Sequence, residues 1–570
     1  MEAGEILLRR GLIDERQLEL ARRAQTGGTR LDEAVVQLGL ITEEQALRAI
    51  GEELGLKYID LSEAEIDLSL LGVFPAKAIY RESLFPITQQ NGCLVVATCD
   101  PFNLYSLDEL ASATGKSIVP VLAGRAEIGK LIKTHLGVGS ETVEGLLAQA
   151  HDETVELLEQ VETDGSELSK MAEEPSVVRL VNEILLEAIE LRASDIHIES
   201  EQAGLRIRYR LDGVLHPQPV PPEISRFQAA IISRLKIMAR LNIAERRLPQ
   251  DGRIQLKVSG REVDVRVSVI PMIHGEGIVL RILDKSSMDY SLSSLGMGED
   301  LHAVFRELIR LPHGIILVTG PTGSGKTTTL YSALREIRTP ATKIITTEDP
   351  VEYQLEGISQ IQVHTKIGLT FGNTLRSILR HDPDVILIGE IRDLETAEHA
   401  IQASLTGHLV FSTLHTNDAA GAYTRLVDMG VEPFLVSSTV EAVMAQRLVR
   451  TLCRECRQAY HPAQEDLPDD FPFDELASGG KLYRAVGCRA CRNVGYRGRI
   501  GLFELLVTTN RIRQIAHERS SSWSIKQAAL AQGMRTLRQD GWRKVIAGKT
   551  TVEEVVRVTK GNDLVSDAPV

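Results

Sequence analysis

The second half of the chain alternates short, continuously apolar runs with stretches of helical periodicity. The clearest runs are Gly314–Thr319, Ile344–Thr347, Val385–Ile388 and Leu409–Thr413. After the first run, a helical pattern with one apolar face resumes at Lys326. Runs of this length are typical of strands buried on both faces of a parallel sheet, and the helices between them supply the crossovers. We therefore predict an α/β domain over residues 291–560.

Residues 175–290 carry a different pattern, in which polar and apolar positions alternate. The pattern predicts a helix over Val177–Leu191 and strands at Ile196–Glu199, Leu205–Arg210 and Val263–Ser268. Alternation with period two predicts a sheet with one covered face and one wet face. Arginines recur on the wet face. An α+β domain that presents positive charge is therefore expected.

Residues 1–140 open on an internal repeat. Gly11–Leu18 is echoed by Gly39–Ala46, and helical periodicity flanks both segments. In each unit a glycine ends one helix, and a short polar side chain, Asp14 or Thr42, caps the next. Two helix–turn–helix units are therefore predicted. The strand-like runs of a small α/β piece follow at Gly92–Thr98 and Ser117–Leu122.

Residues 141–174 are strongly acidic, with Lys170 as the only lysine or arginine. Such a run is typical of a solvated, flexible connector. We predict a linker here, between the amino-terminal module and the second domain. A flexible tail is predicted over residues 561–570.

The composition is that of a globular protein, with 43% hydrophobic and 25% charged residues over a length of 570. A net charge of −14 gives no general attraction to nucleic acid, so we expect no nucleic-acid partner. No apolar stretch approaches the ~18 residues of a spanning helix, and the first residues lack a signal peptide's basic and apolar regions. We expect a cytoplasmic protein that reaches a membrane only through partners.

The turn between the first apolar run and its helix has the spacing GxxxxGK[ST]. It comprises Gly320, Pro321, Thr322, Gly323, Ser324, Gly325, Lys326, Thr327 and Thr328. Positions without side chains let backbone N–H groups close around an oxyanion at the positive end of the helix. In this motif the lysine reaches the β- and γ-phosphates, and the hydroxyl of Thr327 completes the shell of a magnesium ion. The loop predicts binding of ATP and Mg²⁺.

Polar residues at the ends of the predicted strands supply candidates for the rest of the chemistry. Glu348, Glu390 and His415 each follow the carboxyl end of a strand, where ligands gather in open α/β sheets. We predict that Glu390 holds magnesium or its water shell and that Glu348 activates water, while His415 senses the γ-phosphate. Gly389 occupies the position where many P-loop proteins have aspartate, so the site is atypical. A capping or surface role is the alternative for each carboxylate.

Positive charge for the developing oxyanion has several candidate sources. Arg253, Arg266 and Arg281 lie in the second domain, and Arg376 and Arg380 lie at helical spacing in the ATPase domain. An arginine that reaches the transferring phosphate accelerates the reaction about 10³–10⁵-fold. Spacing alone does not show which of these five arginines reaches the phosphate. The alternative is that they form an exposed charged stripe with no catalytic role.

Four of the six cysteines form two CxxC pairs, Cys453 with Cys456 and Cys488 with Cys491. Four thiolates suffice for a closed tetrahedral Zn²⁺ site. The gap between the pairs exceeds that of the compact ribbon pattern, so a loop is expected to extend from the site. A redox CxxC and free core cysteines are the alternatives.

As a set, these motifs resemble those of the secretion ATPase family of type II secretion and type IV pilus assembly, represented by GspE and PilB. The resemblance extends from about Pro175 to Thr559. It implies a RecA-like P-loop ATPase domain with a zinc module at about 450–495, preceded by a PAS-like α+β domain. It further implies that Glu348 is the catalytic base. In the family pattern, arginines at the positions of Arg253, Arg266 and Arg281 close over the nucleotide.

The same resemblance implies a homohexameric ring at the cytoplasmic face of the inner membrane. The expected partners are an inner-membrane platform protein similar to GspF and a docking partner similar to GspL. Thr451–Cys456 and Asp428–Phe434 are more similar to GspE, so the leading prediction is a motor ATPase for type II secretion. A PilB-like pilus extension ATPase is the main alternative. A RecA-like motor on DNA and a nucleotide-gated adaptor are the others.

The repeat at the start resembles the cyclic di-GMP-binding module of some of these ATPases. Two positions depart from that pattern: Glu2 stands where the first repeat would have arginine, and Asp32 where the second would have glycine. An acidic group beside the dinucleotide's phosphates is unfavourable. We therefore predict that the module docks to a partner, with cyclic di-GMP binding as the alternative.

Overall fold

The computed structural model divides the chain into two compact units, residues 1–286 and 287–570. The described residues are 3–24, 30–61, 64, 66–72, 74, 78–79, 82–90, 92–136, 155–157, 171–172, 174–220, 222–258, 260–284, 291–476 and 480–559. The predicted tail and most of the predicted linker lie outside them, as does Glu2. Among the described residues, no helix is both long and apolar enough to cross a membrane.

The first unit begins with four short helices. They are α1 (Ala3–Arg9), α2 (Glu15–Ala24), α3 (Leu31–Gln37) and α4 (Glu43–Leu54). Asp14 accepts a hydrogen bond from the Gln17 backbone N–H at 2.7 Å, and the Thr42 hydroxyl accepts one from Gln45 N–H at 3.2 Å. The glycines that precede the two caps both adopt φ near +70°, a left-handed conformation that glycine adopts without strain. The predicted repeat and its caps are confirmed.

A small α/β piece follows the repeat. Its elements are β1 (Phe85–Gln90), β2 (Cys93–Thr98), α5 (Leu104–Thr114), β3 (Ser117–Leu122) and α6 (Arg125–Leu136). The sheet order is β1-β2-β3, with β2 and β3 parallel. The two strands that the apolar runs predict are therefore present, and β1 completes the sheet.

The rest of the first unit is built on an antiparallel sheet. Its strands are β4 (Val155–Leu157), β5 (Asp195–Glu201), β6 (Gly204–Leu211), β7 (Val214–Gln218), β8 (Gln250–Val258), β9 (Arg261–Met272) and β10 (Gly275–Asp284). The order is β4-β8-β9-β10-β5-β6-β7. Its helices are α7 (Pro175–Glu190) and α8 (Gln228–Met238), and both contribute to the apolar core with one face of the sheet. The α+β prediction is confirmed, and β4 lies inside the segment predicted as a linker.

The second unit contains the predicted α/β domain. Its helices and strands, in chain order, are α9 (Glu299–Leu308), β11 (Gly314–Thr319), α10 (Lys326–Ile337), β12 (Ile344–Glu348), β13 (Ser359–Gln362), α11 (Phe371–Ile378), β14 (Val385–Ile388), α12 (Leu394–Leu405), β15 (Leu409–Leu414), α13 (Gly421–Asp428), α14 (Pro433–Thr439), β16 (Val440–Leu452) and β19 (Tyr496–Val507). The sheet order is β13-β12-β14-β15-β11-β16-β19. All neighbours are parallel except β16 and β19. The carboxyl ends of β11, β12, β14 and β15 therefore meet at one edge of the sheet.

The remainder of the second unit packs around the long β16–β19 pair. It comprises β17 (Gln458–Tyr460), β18 (Leu482–Arg484), α15 (Asn510–His517), α16 (Ser522–Ala531), α17 (Leu537–Ile546) and α18 (Val552–Val558). The chain between β16 and β19 has a small apolar cluster, in which Leu467 and Phe471 pack with Trp542 of α17. Asp470 accepts hydrogen bonds from Arg538 and Trp542 of the same helix. This segment is thus anchored on the carboxyl-terminal helices.

Candidate nucleotide site

The GxxxxGK[ST] loop lies between β11 and α10, at the edge of the sheet where parallel strands end. Gly320 has φ +149° and Gly325 has φ +88°. A Cβ atom on Gly320 would lie 2.6 Å from the carbonyl oxygen of Gln446, and one on Gly325 would lie 2.8 Å from its Nε2. Both glycines are therefore required by the close approach of β16 as well as by their dihedral angles.

Lys326 turns its ammonium group back over the loop. Its Nζ donates hydrogen bonds to the carbonyl oxygens of Gly320, at 2.7 Å, and Pro321, at 3.1 Å. Burial, together with the charge of Arg447, lowers the pKa of Lys326 to about 8 against the opposing effect of Glu390. A desolvated ammonium group beside a second cation is stabilised by a bound anion.

The residues of the loop fit a phosphate group and a magnesium ion. The Ser324 hydroxyl is buried and, within the described part of the chain, has no hydrogen-bond partner. A buried polar atom left without a partner is costly, and a phosphate oxygen beside this loop is a suitable partner. Thr322 and Thr327 are exposed at the surface of the loop. The Thr327 hydroxyl, next to Lys326, is the group that would hold magnesium, which prefers oxygen ligands.

Glu390 and His415 meet at the ends of the neighbouring strands β14 and β15. The Nε2 atom of His415 lies 3.3 Å from Oε2 of Glu390, and Arg392 forms an ion pair with Oε1. The Glu390 side chain is largely buried, with 13% exposed, whereas His415 is half exposed. The structure thus brings together two of the predicted strand-end residues and adds Arg392, a cation that the sequence pattern does not single out.

Gly389 explains why the acidic residue lies one position later than usual. Its N–H donates to the carbonyl oxygen of Thr347 at 2.8 Å. A Cβ atom on Gly389 would lie 3.3 Å from both the Cα of Glu348 and that carbonyl oxygen. This separation is tighter than ordinary van der Waals contact, so a side chain here would require β12 or β14 to shift by a few tenths of an ångström. The carboxylate of this segment is therefore that of Glu390, and its magnesium-binding role stays a prediction.

Glu348 ends β12 as a buried carboxylate with three hydrogen-bond donors. Oε1 accepts from the Thr346 hydroxyl at 2.6 Å and from Gln360 Nε2 at 3.1 Å, while Oε2 accepts from the Tyr331 hydroxyl at 2.5 Å. Tyr331 lies on α10, the helix that begins at Lys326. The acidic group predicted to be the base is therefore fixed against the helix of the phosphate loop. Burial raises the pKa of Tyr331, so its hydroxyl remains a donor.

The arginines of the first unit form a row across three adjacent strands. Arg253 of β8 pairs in register with Arg266 of β9, and Arg266 pairs with Arg281 of β10. Arg253 forms an ion pair with Asp264, and Arg281 Nε lies 3.1 Å from Asp195 Oδ1. Like charges opposite one another weaken a sheet, and these two carboxylates offset part of that repulsion. The prediction that these arginines close over a nucleotide stays a prediction.

The two alternative arginines of the ATPase domain have local partners. Arg376 of α11 donates to Glu395 at 2.7 Å and to His399 at 3.0 Å, both on α12. Arg380 donates to the carbonyl oxygen of Arg376 at 2.8 Å. These contacts fasten the two helices to each other, which is a sufficient structural reason for Arg376.

The four cysteines of the two CxxC pairs form one cluster. Their sulfur atoms all lie within 4.8 Å of one another, with 3.9 Å between Cys453 and Cys488, and 3.6 Å between Cys456 and Cys491. A tetrahedron of thiolates about 2.3 Å from zinc has sulfur–sulfur edges of about 3.8 Å. All four cysteines are free thiols. The distances and the donor set fit zinc.

Backbone donors tune one thiol of this cluster. The Sγ atom of Cys491 accepts hydrogen bonds from the backbone N–H groups of Cys488 and Gly495, each at 3.1 Å. Burial raises the pKa of Cys491, but these donors and the neighbouring thiols outweigh it and lower the pKa to about 7. A thiolate, the form that ligates zinc, is therefore favoured here.

Sequence reasoning missed Gln446 and Arg447 of β16. Gln446 is buried and its Oε1 accepts a hydrogen bond from the Thr329 hydroxyl of α10 at 2.7 Å. Arg447 is half buried beside Gly320 and Lys326. The available signal is a pair of polar residues inside the otherwise apolar run from Ala442 to Val449.

The fold and the geometry of this site define a RecA-like P-loop ATPase. A model of the family described as type II/IV secretion system protein matches residues 170–557. The chain belongs to this family. A model of the MshEN domain matches residues 54–141, after the helical repeat.

Curated relatives span nearly the whole chain. The type II secretion system protein E of Xanthomonas campestris pv. campestris is 44% identical over 564 residues, which cover 98% of each chain. The type IV pilus assembly ATPase PilB of Myxococcus xanthus is 42% identical over 557 residues, covering 97% of this chain and 98% of the relative. The solved structure of the pilus retraction motor PilT with bound ADP is 29% identical in sequence. The match covers 67% of this chain and 97% of the PilT chain, with a TM-score of 0.44. The family predicted from the motifs is confirmed.

Proposed function

We propose that this ATPase is the motor of a type II secretion system, in which ATP hydrolysis drives assembly of a pseudopilus and protein export. The observation that carries the proposal is the convergence of Lys326, Glu390 and His415 at one edge of the parallel sheet. Lys326 and Glu390 interact electrostatically, and Glu390 contacts His415. Membership of the secretion family connects this chemistry to protein transport.

Each group at the site has a distinct proposed role. The backbone of the loop from Gly320 to Thr328 and the ammonium group of Lys326 bind the phosphates. Thr327 and Glu390 hold magnesium, which neutralises the charge of the phosphate oxygens. Glu348 accepts a proton from the attacking water, and His415 holds Glu390 and senses the γ-phosphate. The arginine row of β8, β9 and β10 supplies further positive charge.

Steady-state hydrolysis by two variants tests the catalytic part of this proposal. Lys326→Ala is expected to weaken ATP binding, and Glu390→Gln is expected to lower kcat by about 10²–10³-fold, because the carboxylate that holds magnesium is lost. Full ATPase activity in both variants would contradict the catalytic roles proposed for Lys326 and Glu390. His313→Ala, an exposed residue before β11, is the matched surface control.

The assembly proposed for the chain is a homohexameric ring. Its membrane association is proposed to be peripheral, through an inner-membrane platform protein similar to GspF and a docking partner similar to GspL. Size-exclusion chromatography with light scattering, with and without ATP, measures the subunit count. A monomer at all concentrations of protein and nucleotide would contradict the ring.

A zinc ion bound by Cys453, Cys456, Cys488 and Cys491 is proposed to have a structural role. A closed set of four thiolates leaves no open position for catalysis. The ion would tie the start and the end of the segment between β16 and β19 to each other. That segment in turn packs on α17, so the metal stabilises the carboxyl-terminal part of the domain.

The amino-terminal module is proposed to dock a protein partner. Asp32 is held by Arg30, whose guanidinium contacts it at 2.7 Å and also pairs with Asp100. Asp32 is buried, with 3% exposed. A dinucleotide phosphate would have to displace this carboxylate, so we expect no calorimetric binding of cyclic di-GMP to the full chain. Micromolar binding that Arg30→Ala abolishes would reverse the assignment.

Type IV pilus extension is the second candidate, because the PilB relative is nearly as similar as the type II relative. Complementation separates the two. The type II assignment predicts that the chain restores secretion to a strain that lacks its secretion ATPase. Restored pilus extension without restored secretion would favour the second candidate.

A further inference from the structure

Strand β16 places Gln446 and Arg447 directly beside the phosphate loop. β16 pairs in parallel with β11, and Ala445 lies opposite Thr319, the last residue of β11. Gln446 and Arg447 therefore extend beyond the end of β11, next to Gly320. The Nη1 atom of Arg447 lies 3.1 Å from the position of a Cβ atom on Gly320. The guanidinium group is thus at the edge of the sheet where the nucleotide site lies.

The guanidinium group is held by neutral acceptors. Nη1 donates to the carbonyl oxygen of Gln446 at 3.0 Å, and Nη2 donates to the carbonyl oxygen of Asn417 at 2.9 Å. Asn417 lies two residues after His415, so this bond ties β16 to the segment that follows β15. Carbonyl oxygens orient a guanidinium group without cancelling its charge.

The acidic groups that act on Arg447 are engaged elsewhere. Within the described ranges, no carboxylate lies at ion-pair distance from it, and Glu504 and Asp418 act on it only from further away. Glu504 accepts a hydrogen bond from the Ala419 N–H at 2.8 Å, and Asp418 lies 3.2 Å from Lys526 Nζ. Burial lowers the pKa of Arg447. The charge of this arginine is therefore desolvated without being paired.

Two desolvated cations consequently face the same loop. Arg447 and Lys326 are each more than half removed from water, and each lacks a carboxylate in contact. Glu390, the acid whose charge acts on Lys326, already pairs with Arg392 and His415. Adjacent buried cations repel one another, and an anion with several charges removes that cost.

We propose that Arg447 is a second phosphate-binding cation of the site, which contacts the terminal phosphates of the bound nucleotide together with Lys326. A guanidinium group binds phosphate oxygens in a two-pronged geometry that an ammonium group does not reproduce. Through Asn417, the same side chain links the phosphates to the segment after His415. This proposal rests on the proposed ATPase function and identifies a residue that the phosphate-loop motif does not include.

Equilibrium binding of ADP and of a non-hydrolysable ATP analogue to the full-length chain tests the proposal. Arg447→Gln is expected to weaken both affinities by roughly tenfold to hundredfold, as loss of a charge-assisted hydrogen bond does. Arg447→Lys is expected to recover part of that loss. The salt dependence of the dissociation constant should become less steep in Arg447→Gln, because one cation no longer contacts phosphate. Arg511→Gln, an exposed arginine of α15, is the matched control and should bind like the unchanged protein.

Stability without nucleotide separates binding from a structural role. Arg447→Gln relieves the repulsion with Lys326 but loses the hydrogen bonds to Gln446 and Asn417, so the urea midpoint of the nucleotide-free variant should stay close to that of the unchanged protein. A lower midpoint with unchanged nucleotide affinity would overturn the proposal. The proposal would also be overturned if Arg447→Gln bound nucleotide with unchanged affinity while Lys326→Ala bound it more weakly. That result would leave the ATPase function in place. If the unchanged protein bound neither nucleotide, both the ATPase function and this proposal would fail.

Discussion

The Nε2 atom of His415 lies 3.3 Å from the Glu390 carboxylate, and the two residues end adjacent parallel strands. The Thr413 hydroxyl strengthens this junction by donating to the Gly389 carbonyl oxygen at 2.7 Å. A carboxylate held by an imidazole on one side and by Arg392 on the other has little freedom to rotate. The contact makes the end of β15 part of the site.

Substitution of His415 should therefore affect turnover more than binding. We expect His415→Ala to lower kcat by about tenfold or more, with a small change in KM, because Glu390 loses one of the two groups that orient it. Steady-state kinetics measure both constants. A rise in KM at constant kcat would indicate that His415 acts in binding alone.

Nucleotide affinity should fall as the pH rises above about 8. Burial lowers the pKa of Lys326 to about 8, so the nucleotide-free protein carries a charged lysine below this pH and a neutral one above it. Phosphate favours the charged form, so binding above pH 8 takes up a proton. The dissociation constant should then rise about tenfold per pH unit.

Calorimetry in buffers with different ionisation enthalpies measures this proton uptake. We expect close to one proton per nucleotide at pH 9 and close to none at pH 7. The control is Lys326→Arg, whose guanidinium stays charged over this range and should give an affinity that is flat with pH. Equal pH dependence in both proteins would assign the effect to another group.

Loss of zinc should expose the segment between the two CxxC pairs. We expect one zinc ion per chain, and none in Cys456→Ser/Cys491→Ser, because two of four ligands are then absent. Limited proteolysis should cut the double variant within residues 457–487 under conditions that leave the unchanged chain intact. Cys93→Ser, outside the cluster, should retain both metal and resistance. If the metal-free variant resisted proteolysis, packing on Trp542 would be enough to hold this segment in place without zinc.

The arginine row should contribute to turnover more than to stability. Arg266 occupies the centre of the row, opposite Arg253 and Arg281. We expect Arg266→Gln to change the free energy of unfolding by no more than about 0.5 kcal/mol, and to lower kcat by at least tenfold. Urea unfolding and hydrolysis assays measure the two quantities. Arg261→Gln, an exposed residue at the start of β9, controls for the lost charge.

Much of the fold follows from local patterns. The strands β11, β14 and β15 are predictable because they are short and continuously apolar, and the helical repeat is predictable because its caps and glycines recur. Strand β13 is not predictable from the sequence, because its four residues Ser359–Gln362 are mostly polar and lie at the edge of the sheet. β16 is not among the predicted strands either, since Gln446 and Arg447 interrupt its apolar pattern.

The features of the nucleotide site also fall into those that the sequence predicts and those that it does not. Glu348, Glu390 and His415 are predictable because parallel strands place their carboxyl ends together. The bond between Tyr331 and Glu348 is not predictable, because it depends on which face of α10 turns toward β12. The alignment of Arg253, Arg266 and Arg281 depends on the register of two antiparallel pairs. Pattern alone leaves that register open.

Steady-state ATP hydrolysis by Glu348→Gln tests whether the buried carboxylate at the end of β12 is the catalytic base. Glutamine keeps the shape of the buried carboxylate, and its amide oxygen still accepts from the Thr346 hydroxyl and from Gln360 Nε2. We predict near-unchanged ATP affinity and a kcat lowered by about 10²–10⁴-fold, the usual contribution of a general base. Turnover equal to that of the unchanged protein would show that Glu348 is not the catalytic base.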